Sequence, residues 1–186
     1  MHITPNHPAI RTMGRIDDDD PLRPVWIFPY TQASFRFTGT SLRVAVGVRS
    51  VDFVRSSLNL GVCLDGRRIA VPLPQGEDEQ VVTIAQGLPD IQHEVTVYKR
   101  QDGNQYLTML GFEVDDGASV LPPAHPRPTR RIEVYGDSVS CGERNEAICY
   151  AGQDDPDVEL YGYSDSWMSY AALTARRLGA ELHNVS

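Results

Sequence analysis

Apolar and polar residues alternate along Ala33-Ser34-Phe35-Arg36-Phe37-Thr38, and the same period of two runs through Ser41-Leu42-Arg43-Val44-Ala45-Val46-Gly47-Val48. Successive side chains of a strand point to opposite faces of a sheet, so this pattern predicts two half-buried strands with Gly39 in the connection between them. Leu58 to Leu64 and Arg67 to Leu73 flank Asp65-Gly66, a dipeptide that accepts the positive φ angles of a tight hairpin. Three more strands are expected at Gln80 to Ala85, His93 to Lys99 and Gln105 to Val114, separated by Gly87-Leu88-Pro89-Asp90 and Asp102-Gly103-Asn104. No helical period occurs among them. About seven or eight short strands at this spacing predict an all-β, antiparallel jelly-roll sandwich over residues 1–121.

The texture changes at Leu121-Pro122-Pro123-Ala124-His125-Pro126-Arg127-Pro128. Proline lacks the N–H that a central strand would donate, so residues 122–130 read as an extended linker. Beyond it, Arg131-Ile132-Glu133-Val134-Tyr135 predicts a strand, followed by a glycine-containing turn. A helix is expected from about Ser166 to Leu178, with Ser164 or Asp165 available as its N-cap, and a second strand from Glu181 to Val185. Strand, turn, helix, strand opens a parallel α/β sheet, which assigns residues 131–186 to the start of a second, α/β domain.

Candidate chemistry gathers at the first turn of that second part, Tyr135-Gly136-Asp137-Ser138-Val139-Ser140-Cys141-Gly142. A serine that directly follows a strand stands at the carboxyl end of the sheet, where open α/β folds bind ligands. Gly136 permits a sharp turn, and the Ser138 amide is placed to face an oxyanion. A serine hydroxyl is a weak nucleophile at neutral pH and needs a base, normally histidine, to take its proton. The plainer reading is that Asp137-Ser138 caps a turn. The five histidines, His2, His7, His93, His125 and His183, each read more simply as surface or packing residues than as that base.

Charge and composition narrow the partners. The formal net charge is -8, and the basic pairs Arg67-Arg68, Arg130-Arg131 and Arg176-Arg177 form no stripe, which argues against nucleic acid. No apolar run reaches the roughly 20 residues of a membrane span, and Met1-His2-Ile3-Thr4-Pro5-Asn6 lacks the pattern of a signal peptide. Three cysteines, Cys63, Cys141 and Cys149, have no metal-ligand spacing; Cys141 could pair with Cys149, but buried free thiols are the simpler reading. Asp17-Asp18-Asp19-Asp20 lacks the alternating ligands and central glycine of a calcium loop and reads as solvated. No cofactor or metal is expected. Trp167 and Tyr170, three apart, suit a packed helix face better than a sugar platform.

Gly136-Asp137-Ser138 with the following Gly142 resembles block I of the SGNH (GDSL-like) hydrolases. By that resemblance Ser138 is the nucleophile and first oxyanion donor, Gly136, Asp137 and Gly142 are supporting residues, and Asp137 is not the triad acid. A wider set is similar to the family 2 carbohydrate esterases: Gly14-Arg15-Ile16-Asp17, Phe35 to Ser41, Leu110-Gly111-Phe112-Glu113, Arg130 to Glu133 and Ser169 to Arg176. That resemblance implies a jelly roll ahead of an SGNH domain, and an exported, extracellular or periplasmic esterase. It also implies an acetylated carbohydrate, xylan or a related plant polysaccharide, as substrate. After Ser138 the later blocks, including a late Asp-x-x-His pair, have no counterpart up to Ser186; the Asp90-Ile91-Gln92-His93 spacing falls in the sandwich, ahead of the serine. The catalytic set is therefore expected to be incomplete in this chain, which should lack turnover and self-associate through its unfinished sheet. The alternative is a glycan-binding or interaction sandwich with a vestigial hydrolase stub.

Overall fold

The computed structural model describes residues 1–50, 58–74, 79–154 and 156–186. Its strands are β1 (His2–Ile3), β2 (Arg11–Met13), β3 (Ile16–Asp17), β4 (Val25–Trp26), β5 (Gln32–Ser50), β6 (Asn59–Leu64), β7 (Arg67–Pro72), β8 (Gln80–Lys99), β9 (Gln105–Val114), β10 (Val120–Leu121), β11 (Arg130–Tyr135) and β12 (Ala180–Val185). Among the described residues two α-helices, α1 (Ser138–Cys141) and α2 (Tyr170–Arg177), lie between the last two strands. β1 to β10 form one curled antiparallel sheet in the order β3-β4-β9-β5-β8-β6-β7, with β1 added to β9 and both β2 and β10 to β5. This is the jelly roll. Its inner face is filled by alternate residues such as Phe35, Phe37, Val44, Val46, Leu107 and Met109, with the Phe35 and Phe112 rings 4.8 Å apart.

Two pairs of expected strands are fused. Ala33–Thr38 and Ser41–Val48 belong to the single β5, and Gln80–Ala85 and His93–Lys99 to the single β8. The glycines mark a bulge instead of an end: Gly39 faces Ile91 while Ser41 faces Gln86, so Gly87 to Asp90 leave the ladder and rejoin it. Gly39 has φ +118, and a Cβ there would come 2.7 Å from Asp115 Oδ2. That carboxylate accepts hydrogen bonds from Thr40 N, Thr40 Oγ1 and Ser41 Oγ, which hold it well below the usual carboxylate range, at about 2. The Asp65-Gly66 hairpin forms as its residues dictate, with φ positive at both positions.

β11 and β12 pair in parallel, from Arg130 opposite Ala180 to Tyr135 opposite Val185. α2 covers them with Ala171, Ala172 and Ala175 against Leu182. The helix expected from Ser166 to Leu178 is divided. Asp165 Oδ1 accepts from Trp167 N and caps a 3-10 turn, Ser166–Met168. The chain then extends at Ser169, whose Oγ accepts from Ala172 N and caps α2. Two good N-caps four residues apart each start their own turn.

This split also separates Trp167 from Tyr170. Trp167 lies in the joint between the two parts, 5.5 Å from the Tyr30 ring and 5.0 Å from Tyr98, with the Arg176 guanidinium over it at 4.3 Å. Tyr170 is exposed, so the two do not share a buried face. The cysteines carry no disulfide, yet only Cys141 is buried; Cys63 is half-buried and Cys149 exposed. Asp17 ends β3 and Asp18 to Asp20 follow it, exposed; Asp17 Oδ1 accepts from Asp19 N and Asp20 Oδ1 from Leu22 N.

Candidate active site

The last rung of the parallel pair is Gly136 N donating to Val185 O at 3.1 Å, and the chain turns there. Asp137 is extended, and its Oδ1 accepts from Val139 N at 3.0 Å, making it the N-cap of α1. Its backbone carbonyl accepts from Ser140 N, Cys141 N and Ser140 Oγ, which closes a single tight turn. Glycine is required at 136 because that turn folds back on it: a Cβ would meet Ser140 Oγ at 2.2 Å. The sheet supports the turn from below, through Asn184 Nδ2 donating to Ser140 O at 2.9 Å. Gly142 ends it in the left-handed region, φ 80, and a Cβ there would come 2.7 Å from both Asp165 O and Asn145 Nδ2.

Ser138 is the first residue of α1 and is exposed. Among the described residues neither its hydroxyl nor its amide N–H has a hydrogen-bond partner; its carbonyl accepts from Glu143 N and from Cys141 Sγ. The neighbouring thiol stays protonated, since burial, then the charge of Asp102, push Cys141 up to about 12. The turn therefore presents an unencumbered hydroxyl beside an unencumbered N–H. Gly136, Asp137 and Gly142 shape it, and the Asp137 carboxylate is occupied by the cap.

No histidine meets Ser138. His93 is buried in the sandwich with Nδ1 2.6 Å from Asp65 Oδ2 and Nε2 2.9 Å from Pro89 O. Burial pushes its pKa down, but the bonds to Asp65 and Pro89 outweigh that and raise it, as expected of an imidazole donating from both nitrogens. His183 lies opposite Glu133 within the parallel pair, and burial followed by Arg131 pushes it down. His125 is exposed in the linker, His7 Nδ1 accepts from Ala9 N, and His2 is on β1 beside Gly111. Among the described residues no three His, Cys, Asp or Glu side chains group as metal ligands.

A buried polar cluster beneath this turn is absent from the sequence reading. Lys99, Arg100 and Gln101 are all buried at the end of β8, and Asp165 is buried with them. Lys99 Nζ donates to the carbonyls of Gln101 and Asp102, and burial pushes it down to about 7. The signal available in the sequence was the run Lys99-Arg100-Gln101 directly after an apolar alternation, where a strand should have surfaced into solvent.

Residues 12–124 match the family model described as carbohydrate esterase 2 N-terminal. The chain is 27% identical over 183 residues to the cellulase/esterase CelE of Acetivibrio thermocellus, covering 97% of this chain and 21% of that protein. It superimposes with a TM-score of 0.78 on a family two carbohydrate esterase from Clostridium thermocellum determined in complex with cellohexaose, at 26% identity. That match covers 95% of this chain and 50% of the other. An acetyl xylan esterase from Butyrivibrio proteoclasticus shares the fold, with a TM-score of 0.78 at 21% identity over all of this chain and 49% of its own. The chain thus spans about half the length of these solved relatives and a fifth of the curated one. On the match of its sandwich to that family model, the chain belongs to carbohydrate esterase family 2.

Proposed function

We propose that this chain carries the nucleophile of an esterase that removes O-acetyl groups from carbohydrate, with Ser138 as the attacking residue. The observation that supports this best is the turn itself, a strand-end serine whose hydroxyl and N–H are both unbonded and exposed. In the reaction a base takes the Ser138 proton as Oγ attacks the acetyl carbonyl carbon. The carbonyl oxygen becomes an oxyanion and accepts from Ser138 N–H. Collapse breaks the ester C–O bond, the proton passes to the departing sugar oxygen, and water then hydrolyses acetyl-Ser138. Gly136 and Gly142 let the turn close, and Asp137 caps it.

No histidine among the described residues hydrogen-bonds Ser138, and on that ground we propose that the base and the further oxyanion donors lie elsewhere and that the 186-residue chain alone lacks turnover. Tyr170, Leu173 and Leu178 are exposed apolar residues on and just after α2, which favours self-association of this chain in isolation. Xylan or a related acetylated plant polysaccharide is the proposed substrate class, and an exported location is proposed on the family likeness.

The test is hydrolysis of p-nitrophenyl acetate by this chain, by the full-length protein of the natural gene, and by each with Ser138→Ala. Turnover confined to the full-length protein and abolished by the substitution is expected. Turnover that survives Ser138→Ala would remove Ser138 from the mechanism; no turnover in any version would favour a glycan-binding module.

A further inference from the structure

We infer that the β-sandwich supplies positioning residues for the nucleophile turn: Arg68 and Arg100, acting through Asp165, fix Gly142 and with it α1. This rests on Ser138 as the nucleophile. Asp165 N donates to Gly142 O at 3.1 Å and to Asn145 Oδ1 at 3.0 Å, while Asn145 Nδ2 returns a bond to Asp165 O at 3.0 Å. The backbone of one residue therefore clamps Gly142, directly through its N–H and alongside through Asn145. Closure is tight enough that Gly142 admits no Cβ on this side.

The clamp is itself held from the sandwich. The Asp165 side chain is 2% exposed; its Oδ2 lies 2.5 Å from Arg68 Nη1 and 3.7 Å from Arg100 Nε, and its Oδ1 accepts from Tyr98 OH at 3.1 Å. Glu146, on the loop after Gly142, completes the square, with Oε1 2.8 Å from Arg68 Nη2 and Oε2 bonded to Arg100 Nη2. Ser166 N donates to Arg100 O at 2.8 Å, and Ser166 Oγ donates to Lys99 O. Arg68 is on β7 and Arg100 follows β8, so two guanidinium groups of the sandwich meet two carboxylates of the α/β part.

Buried ion pairs are poor stabilisers compared with apolar packing, because desolvation offsets most of their attraction. Their advantage is directional: planar guanidinium forks fix a carboxylate to a narrow geometry that apolar contacts do not impose. A network of this kind on the residue that ends the nucleophile helix sets where Ser138 points, and it makes the sandwich part of the active site's framework.

Hydrogen exchange on the 186-residue chain tests this without relying on activity. Asp165→Asn is expected to speed exchange of the Cys141, Gly142 and Glu143 amides about tenfold or more, leaving the β5 amides unchanged. A merely structural loss would speed both. In the full-length enzyme, Asp165→Asn and Arg100→Lys are expected to lower kcat about tenfold or more with KM within about twofold. Val97→Ala, a sandwich-core change, lowers the melting temperature and leaves kcat intact. Wild-type exchange and kcat in Asp165→Asn and Arg100→Lys would overturn the inference while Ser138→Ala remained inactive; an active Ser138→Ala would overturn the nucleophile assignment instead. Should Asp165→Asn fail to fold, Arg68→Lys, with its side chain about a third exposed, decides by the same two readouts.

Discussion

Gly61→Ala adds one methyl group at the point where the sandwich supports the joint. Gly61 on β6 faces Tyr98 on β8 across the ladder, and the tyrosine ring lies over the glycine. A Cβ at 61 would sit 1.9 Å from Tyr98 Cζ, whereas carbon atoms in contact need about 3.5 Å. The ring is fully buried and must move by roughly 1.5 Å to restore contact distance. Such a shift lifts the hydroxyl off Asp165, 3.1 Å away, and the ring off Trp167. Overpacking of this kind costs about 1–3 kcal/mol, and loss of a hydrogen bond to a charged group about 1.5–3. Restricting the unfolded chain returns about 0.4–1 kcal/mol. The net expectation is a loss of about 2–5 kcal/mol, a large share of the roughly 5–15 available to a domain. Urea denaturation of Gly61→Ala, Tyr98→Phe and the double variant measures it. Phenylalanine keeps the ring and removes only the hydroxyl, so Tyr98→Phe should cost about 1.5–3 kcal/mol in the parent and close to nothing in the Gly61→Ala background. Equal costs in both backgrounds, or a Gly61→Ala loss below about 0.5 kcal/mol, would refute the reasoning.

Two ionisable groups give pH signatures of opposite sign. Asp115 is held at about 2 against an ordinary 3.8, so its contribution is present above 3.8 and lost as pH falls through 2; the melting-temperature gap between parent and Asp115→Asn should be full at pH 5 and close toward pH 2. A gap independent of pH would discard that carboxylate as the cause. His93 is raised above 6.5, so its contribution is complete below 6.5 and disappears as pH rises through the raised value. Asp65→Asn should therefore cost more stability at pH 6 than at pH 9, and thermal melts giving equal costs would show that the imidazole is not charged in the fold.

What the sequence revealed was what short stretches decide for themselves. Asp65-Gly66 makes a hairpin because the two residues tolerate positive φ, and Gly136-Asp137-Ser138 makes a strand-end turn because glycine and a capping carboxylate suffice. Gly39 and Gly87 to Asp90 were legible as interruptions, but whether a strand ends or bulges depends on the partner across the ladder. Asp165 was legible as an N-cap, but the second cap at Ser169, which divides the expected helix, was not. The Lys99-Arg100-Gln101 cluster was invisible for a related reason. Its partners Glu146 and Tyr161 stand 46 and 60 residues away from Arg100 and Gln101, respectively, and Asp165 is 67 from Tyr98, so no local pattern announces them.

The proline run at 122–128 suggests two bodies joined by a tether, and the two parts pack closely against each other. Two parallel strands and a short helix bury little on their own, and a two-stranded unit is at best marginal in water. The cluster under α2 joins Ala171, Ala172, Ala175 and Leu182 to the buried Tyr30, with Ile132, Val134, Trp167 and Met13 packed against it; Tyr30 and Met13 come from the sandwich side of the linker. Tyr30 N in turn bonds Ser166 Oγ and Lys99 O, which ties the aromatic contact to the same segment that clamps Gly142. The sandwich thus packs against α2 on one side and anchors the serine turn on another. Proline changes the character of the backbone at the linker, but the side chains on either side of it, Tyr30 with Trp167 and Arg100 with Glu146, leave no surface along which the folded chain divides without exposing buried charge.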